Sequence, residues 1–333
     1  MTLQKIAILG AGGWGTALAN LWEKKGCPVT LWGNNPERVE RLRVTRRNND
    51  YLPEVEVLDT IGLTSDLRDC TDADLVVFVT PSIALRQTTT QLRAVLKNNH
   101  AILLSCTKGI EHGSGLRMSE ILREIFPKNP IAVLSGPNLA PEVARDLPTA
   151  TVLGCTEPSL ASDLQNCLGT PRFRIYTGDD LAGIELGGAL KNVFAIAAGA
   201  SDGLSLGDNS KAALVTRALA EMIRLGVAMG GKVATFSGLS GAGDLILTCF
   251  SQRSRNRRIG EQLGRGQSLS EITALMQMIA EGIPTAKSAY ECARKLKIET
   301  PIIDQVYALL YEQRTAPQAM EELLSRDQKP ERI

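Results

Sequence analysis

The sequence predicts a doubly wound α/β domain on a mostly parallel sheet over residues 1–178, followed by an all-helical C-terminal domain over residues 179–333. Three observations carry that expectation. Short, continuously apolar runs alternate with helical patterns through the first half, as they do where strands are covered on both faces by helices. A glycine-rich turn joins the first run to the first helical pattern. Beyond Thr177 the strand-like runs stop and only helical patterns remain.

Strands are expected at Ile6–Leu9, Val29–Trp32, Leu75–Val79, Ala101–Leu104 and Ile131–Leu134. Thr149–Leu153 and Arg172–Tyr176 read as two more, flanking a helix near Ser159–Cys167 and extending or closing the sheet edge. A helix over Thr16–Lys25 follows the glycine turn and is closed by Gly26. The second half predicts helices over Ile184–Ala200, Ser210–Met229, Ser254–Gly264, Glu281–Leu296 and Ile302–Tyr311. Asp208-Asn209-Ser210 stands ahead of the second of these, and Pro301 in the first turn of the last. Asp327–Ile333 reads as a loose tail.

Composition bounds the function. The 333 residues are 44% hydrophobic and 22% charged, a soluble globular composition at enzyme size. Lys and Arg number 37 against 36 Asp and Glu, so no global field recruits nucleic acid or an anionic membrane, and an anionic partner has to be recognised locally. The cysteines (Cys27, Cys70, Cys106, Cys155, Cys167, Cys249, Cys292) are odd in number, spread out and free of any C-x-x-C pair. That argues against a disulfide framework and against a zinc knuckle, and it fits a reducing cytoplasm. Ile6–Leu21 could pass for a signal segment, but Gly10, Gly12, Gly13 and Gly15 interrupt it. No other uncharged apolar run reaches the roughly 18 residues that a membrane span needs, so the chain is expected to be neither exported nor membrane-spanning.

Gly10-Ala11-Gly12-Gly13-Trp14-Gly15 matches G-x-G-x-x-G directly after the first strand and before a helix, the context of a Rossmann-like dinucleotide site. Gly10 permits the tight turn, Gly12 lets backbone N–H groups approach a pyrophosphate, and Gly15 allows close packing of helix on strand. The positive end of the helix then faces the phosphates. A tight turn with no ligand is the alternative. Where an acid would grip the adenosine ribose, the chain reads Gly33-Asn34-Asn35, with Arg38 close behind, so NAD and NADP both stay open.

Two lysines stand out. Lys191 lies in the middle of Ile184–Ala198, a stretch apolar almost all the way round and so expected to be a buried helix. Desolvation lowers the pKa of such an amine, which can then exchange a proton with a reacting oxygen near neutral pH. Snorkelling to solvent or a structural ion pair is the alternative. Gly187 and Gly188 weaken the helix unless something packs against its backbone, which favours the buried reading. Lys108 follows the strand Ala101–Leu104 and so falls on the carboxyl-end rim of the sheet, where ligands bind. The next strand ends in the small-residue turn Ser135-Gly136-Pro137-Asn138.

A third cluster comprises Gly241-Ala242-Gly243-Asp244 and Ser254-Arg255-Asn256-Arg257-Arg258. Between Ser251 and Arg265 five arginines face one acid, Glu261, and supply the local anion site that net charge does not. Ser254 as N-cap with the Arg255 guanidinium beside it suits a phosphate group. Arg257, Arg258 and Arg265 are expected to be a solvated basic face. Stacking on nucleic acid needs aromatics, and only Phe250 lies nearby.

These motifs together resemble the NAD(P)-dependent sn-glycerol-3-phosphate dehydrogenases of the bacterial, soluble type. The resemblance runs from Ile8 to about Glu281 and rests on Gly10–Ala19, Thr107-Lys108-Gly109, Ser135–Asn138, Leu190-Lys191-Asn192-Val193, Gly207-Asp208-Asn209-Ser210, Gly243-Asp244-Leu245 and Ser254–Arg257. It implies reversible reduction of dihydroxyacetone phosphate to sn-glycerol 3-phosphate with NADPH or NADH, supplying phospholipid synthesis. It also implies that Lys191 is the proton acceptor in oxidation and that Lys108 touches nucleotide and substrate. Gly136, Asn138, Asp244, Ser254, Arg255 and Asn256 are implied as substrate contacts. Trp14, Asn34, Ala140, Arg255, Ile279 and Glu281 join the glycine turn for the nucleotide. Asn138 stands where many relatives carry Ser or Thr, and Asn34 where a basic side chain is frequent, which leaves the choice of nucleotide open. Asp244 is expected to orient Lys191, because a buried cation without a partner is costly. The rival readings are another β-hydroxyacid-type dehydrogenase of a phosphorylated substrate, and a non-catalytic dinucleotide sensor, which has no need of a lysine inside an apolar helix. The apolar helices of the second half suggest a homodimer.

Overall fold

The computed structural model describes residues 3–274, 276, 280–328 and 330–331. In chain order the first half carries β1 (Ile6–Leu9), α1 (Gly13–Lys24), β2 (Val29–Trp32), α2 (Pro36–Thr45), β3 (Arg47–Asn48), β4 (Leu52–Glu56), β5 (Gly62–Thr64), β6 (Leu75–Phe78), α3 (Ser82–Val95), β7 (Ile102–Ser105), α4 (Met118–Ile125), β8 (Ile131–Ser135), α5 (Ala140–Ala144), β9 (Thr149–Cys155), α6 (Pro158–Leu168) and β10 (Phe173–Gly178). The second half is helical: α7 (Leu181–Gly203), α8 (Gly207–Ala228), α9 (Val233–Phe236), α10 (Asp244–Phe250), α11 (Arg255–Gly264), α12 (Leu269–Ala274), α13 (Gly282–Leu296), α14 (Pro301–Tyr311) and α15 (Ala316–Leu324).

Eight strands form one sheet in the order β10-β9-β8-β7-β6-β1-β2-β5. The apolar runs occupy its middle, where β1, β6, β7 and β8 are buried along their whole length. All pairings are parallel except β8 with β9, where the chain reverses and β9 and β10 extend the edge. Two features were not expected from the sequence: β5 adds a short outer strand beyond β2, and β3 with β4 makes a separate antiparallel pair. The buried Trp22 indole donates to the Leu168 carbonyl at 3.1 Å, so its one polar atom is satisfied.

By contacts the chain divides into two compact units, residues 1–107 with 118–181, and residues 108–117 with 182–333. A single boundary after residue 178 leaves Lys108–Arg117 with the first domain, whereas the segment packs with the second unit. Ile110 belongs to the core of α7 and α8, and Arg117 Nη1 lies 2.8 Å from the buried Glu185 carboxylate on α7. Within the second unit, Glu221 of α8 accepts from the Ile302 and Ile303 N–H groups at the start of α14, at 3.0 and 2.8 Å. Burial pushes its carboxyl up to about 7.

One sequence expectation needs correction here. The α8 helix begins at Gly207 (φ +82°), not at Ser210, so Asp208, Asn209 and Ser210 fill its first turn rather than precede it. Two stretches, Leu181–Gly203 and Val233–Phe250, are long and apolar enough to cross a membrane by length and composition, although neither is uncharged: the first holds Glu185, Lys191 and Asp202, the second Asp244. In that first stretch 83% of the apolar window is buried inside the fold. Of the expected tail, Asp327, Gln328, Pro330 and Glu331 lie outside helix and strand, and Lys329, Arg332 and Ile333 lie outside the described residues.

Candidate active site

In the first unit the glycine turn behaves as its sequence suggests, with one telling difference among its members. A Cβ on Gly10 (φ +129°) would stand 2.7 Å from the Val79 carbonyl oxygen, one on Gly13 2.9 Å from that of Tyr51, and one on Gly15 1.9 Å from that of Gly10. These three are required by the protein's own packing. A Cβ on Gly12 would meet no protein atom within 4 Å. Gly12 is the N-cap of α1, no side chain caps the helix, and its first turn holds no acid, so the leading amides are left for an outside anion. This cradle fits a pyrophosphate. Trp14 packs half-buried, its ring 6.4 Å from that of Phe173.

At the end of β2, Asn34 is exposed and Asn35 caps α2 by accepting from the Arg38 N–H at 2.9 Å. Arg38 itself reaches the Tyr51 hydroxyl and lies 3.5 Å from Asp50. After β8, Gly136 lets the chain pass against Thr151, where a Cβ would stand 3.0 Å from the Thr151 Cα. Asn138 Nδ2 donates to the Ala150 carbonyl at 3.0 Å, and Ala140 opens α5.

The second unit brings Lys108, Lys191 and Asp244 together. Lys191 Nζ donates to Asp244 Oδ1 at 2.7 Å and to the Thr248 hydroxyl at 2.7 Å. Lys108 Nζ donates to the other oxygen, Asp244 Oδ2, at 2.5 Å. Asp244 is fully buried and Lys191 is 8% exposed. One carboxylate therefore serves two ammonium groups, and the cluster keeps a net positive charge. Burial lowers the Lys191 pKa to about 8; the Lys108 charge pushes the same way and Asp244 opposes both. Two of the three Nζ protons have protein acceptors, and among the described residues the third has none. That direction can serve a substrate oxygen.

Local structure explains the meeting. A Cβ on Gly187 would stand 2.5 Å from the Ser240 carbonyl oxygen, so the π-helical turn Leu239–Gly243 lies directly on the α7 backbone at that point. The turn delivers Asp244 as the first residue of α10, and Thr248, one helical turn later, falls on the same face. The Thr248 hydroxyl in turn donates to the Asp244 carbonyl at 2.6 Å. Lys108 is held because its segment is pinned at the far end by Arg117 on Glu185.

Beside this cluster the next residue of α7, Asn192, accepts through Oδ1 from Asn256 Nδ2 at 2.9 Å, while Asn256 Oδ1 accepts from the Gly282 N–H at 3.0 Å. Ser254 caps α11 by accepting from the Arg257 N–H at 3.2 Å, and Arg255 opens the helix. Glu281 is the N-cap residue of α13, next to Gly282. Ile279 lies outside the described residues. Sequence reasoning missed Thr248 and Asn192. It also misplaced Arg257, expected on a solvated face: its side chain is 12% exposed and lies 2.6 Å from Asp202, an acid too distant in the chain for the charge pattern to reveal. Arg258 and Arg265 are exposed as expected. No cluster of metal-ligating side chains occurs among the described residues.

Models of the NAD-dependent glycerol-3-phosphate dehydrogenases match residues 5–161, by the family's N-terminal part, and residues 180–321, by its C-terminal part. A glycerol-3-phosphate dehydrogenase (NAD(P)+) of Geobacter sulfurreducens is 45% identical over 333 residues, 99% of each chain. One of Fusobacterium nucleatum is 45% identical over 330 residues, 98% of each. The crystal structure of a glycerol-3-phosphate dehydrogenase from Coxiella burnetii matches with a TM-score of 0.94 at 40% identity, covering 97% of this chain and 99% of that one.

Proposed function

The chain belongs to the NAD-dependent glycerol-3-phosphate dehydrogenase family and interconverts dihydroxyacetone phosphate and sn-glycerol 3-phosphate with NAD(P)H; within that reaction we propose that Lys191 is the catalytic acid and base. One observation carries the assignment: an ammonium group inside an apolar helix, hydrogen-bonded to Asp244 and Thr248 with one proton to spare. When bound, the nicotinamide supplies or removes the hydride. The chain's own residues do the rest.

In reduction the Lys191 ammonium gives its third proton to the carbonyl oxygen as that oxygen gains charge, and in oxidation the neutral amine takes the hydroxyl proton back. Asp244 and Thr248 hold the nitrogen at a fixed place through both steps. Lys108 adds a second positive charge, so the cluster favours a developing alkoxide. Ser254, Arg255 and Asn256 offer the substrate phosphate a helix N-terminus and a guanidinium, with Gly136 and Asn138 as further substrate contacts. Gly10, Gly12, Gly13, Trp14 and Gly15 would hold the pyrophosphate through α1, while Asn34, Lys108, Ala140, Arg255, Ile279 and Glu281 complete the nucleotide contacts.

The test is Lys191→Ala. Nucleotide affinity, read by fluorescence titration, should stay near normal while turnover falls by about 10² to 10⁴ fold, the usual share of acid–base catalysis. A variant that keeps most of its turnover refutes the role.

We also place the protein in the cytoplasm as a homodimer. Its cysteines stand as thiols, which suits a reducing compartment, and the helical unit exposes Val233, Ile246 and Phe250 at 56%, 54% and 47%. Sedimentation that finds single chains at working concentration would remove the dimer.

A further inference from the structure

Gly207-Asp208-Asn209-Ser210 is the one motif of the sequence that the proposed chemistry leaves without a role. Its place in the fold supplies one. Gly207 (φ +82°) starts α8 so that Lys211, one turn in, comes back to the end of α7, where its Nζ lies 2.8 Å from Asp202 Oδ2. The same carboxylate oxygen lies 2.6 Å from Arg257 Nη2 of α11. Arg257 Nη1 reaches Glu261 at 3.3 Å, and the Lys211 ammonium sits 4.8 Å over the Phe250 ring at the end of α10. Asp202 thus ties together three helices, with Phe250 bringing in a fourth.

The tie matters because α7 and α11 meet backbone to backbone. A Cβ on Gly199 would stand 1.9 Å from the Arg257 carbonyl oxygen, on Gly203 2.3 Å from that of Glu261, on Gly260 1.9 Å from that of Ile196, and on Gly264 2.5 Å from that of Ala200. Such a contact brings the axes close, but it lacks the ridges and grooves that stop helices sliding or turning on one another. Register must come from side chains beside the strip. Two neighbours on α11 supply it by reaching opposite ways along α7: Asn256 to Asn192 and Arg257 to Asp202, anchor points about 15 Å apart on the helix axis. Arg257 is also the residue whose N–H closes the Ser254 cap.

We propose that Asp202 is a positioning residue: by clamping Arg257 it fixes α11 on α7 and so sets the Ser254-Arg255-Asn256 turn to receive the substrate phosphate. The inference rests on the assignment of that turn to the phosphate. The cluster does not look built for stability. Buried ion pairs add little net stability, and this one leaves Arg257 Nε buried with no acceptor.

Asp202→Asn separates position from charge, because the two act with opposite sign. Loss of a negative charge beside an anion site tightens the anion if only electrostatics operate, whereas loss of register weakens it. Inorganic phosphate is the probe, measured as a competitive inhibitor against dihydroxyacetone phosphate with NADPH, in parallel with Arg255→Ala. The inhibition constant for phosphate and the KM for dihydroxyacetone phosphate should both rise about tenfold, the scale of a small misplacement. The value of kcat should fall less than about threefold, and Asp202→Glu should restore a good part of the affinity. Unchanged or tighter phosphate binding in Asp202→Asn, with Arg255→Ala weakened, overturns the proposal alone. Unchanged phosphate binding in Arg255→Ala overturns the reading of the turn, and the proposal with it. If Asp202→Asn does not fold, Arg257→Lys, which keeps both charges and shortens the reach, is read in the same way.

Discussion

The Lys191 amine takes its pKa from its surroundings. Removal from water is the largest influence on its amine and brings the pKa down to about 8, with Lys108 adding to the fall and Asp244 resisting it. The sign for each direction of the reaction follows. With Lys191 as the proposed acid and base, oxidation of glycerol 3-phosphate needs the neutral amine, so its rate should climb as pH rises through about 8; reduction needs the ammonium and should decline over the same range. Asp244→Asn removes the stabiliser of the cation, so both limbs should move to lower pH and kcat should drop, as a pH profile of kcat/KM in each direction will show. Limbs that stay in place would mean that another group titrates. Lys191, Lys108 and Asp244 were legible in the sequence because each is a charge beside glycine or apolar residues, where it needs a reason. Thr248 and Asn192 were not, because a hydroxyl in an apolar run and an amide next to a lysine are ordinary until helix phase and partners are known. The four-residue step from Asp244 to Thr248 was the one available signal.

At the scale of elements, the glycines do the placing. Gly187 is the point where the π-helical turn rests on α7, and the turn alone determines where Asp244 enters α10. Gly187→Ala would put a methyl group 2.5 Å from a backbone oxygen that has no flexible side chain to yield. The expected cost is about 1–3 kcal/mol of stability, as in other overpacked sites. Thermal unfolding and kcat should fall together, because the displaced turn carries Asp244 with it; a lowered midpoint with full kcat would show that the turn is not the placing element. The central strands were legible because burial on both faces writes them as apolar runs. An apolar run carries no direction, so the reversal of β9 against β8 was hidden. The strands β3 and β5 are too short for a pattern, and β4 is largely exposed. The helix α15 was readable in principle, since Thr315 and Gln318 form a capping box and Ala316, Ala319, Met320, Leu323 and Leu324 make an apolar stripe, but nine residues near the end of the chain are a short run for a helical pattern.

Over the whole molecule, the chain builds two cores, and the glycine turn proposed for the pyrophosphate lies with one while the arginine turn proposed for the substrate phosphate lies with the other. One core runs from Leu3 to Ile175 around the sheet and backs the glycine turn; the other joins Ile110 to the helices from Ala182 to Leu310 and backs Lys191, Asp244 and the arginine turn. A net charge of +1 means that neither ligand is drawn in by the molecule's overall field, so affinity has to come from these local groups. A ligand that binds only the folded form of a unit stabilises that unit, by about 2.7 kcal/mol at a concentration a hundredfold above its Kd, or roughly a hundredfold slower exchange for amides that open only when the unit unfolds. NADPH alone should therefore slow hydrogen exchange most in β1 and α1, where Gly12 and its neighbours offer their amides. Inorganic phosphate alone should slow it most at the start of α11, through Ser254, Arg255 and Asn256. The contrast is sharpest in α1, because its amides owe their protection to a core that contains none of the proposed phosphate groups. Equal protection of α1 by both ligands would show that the two cores respond as one body and that the division of labour assigned to them is wrong.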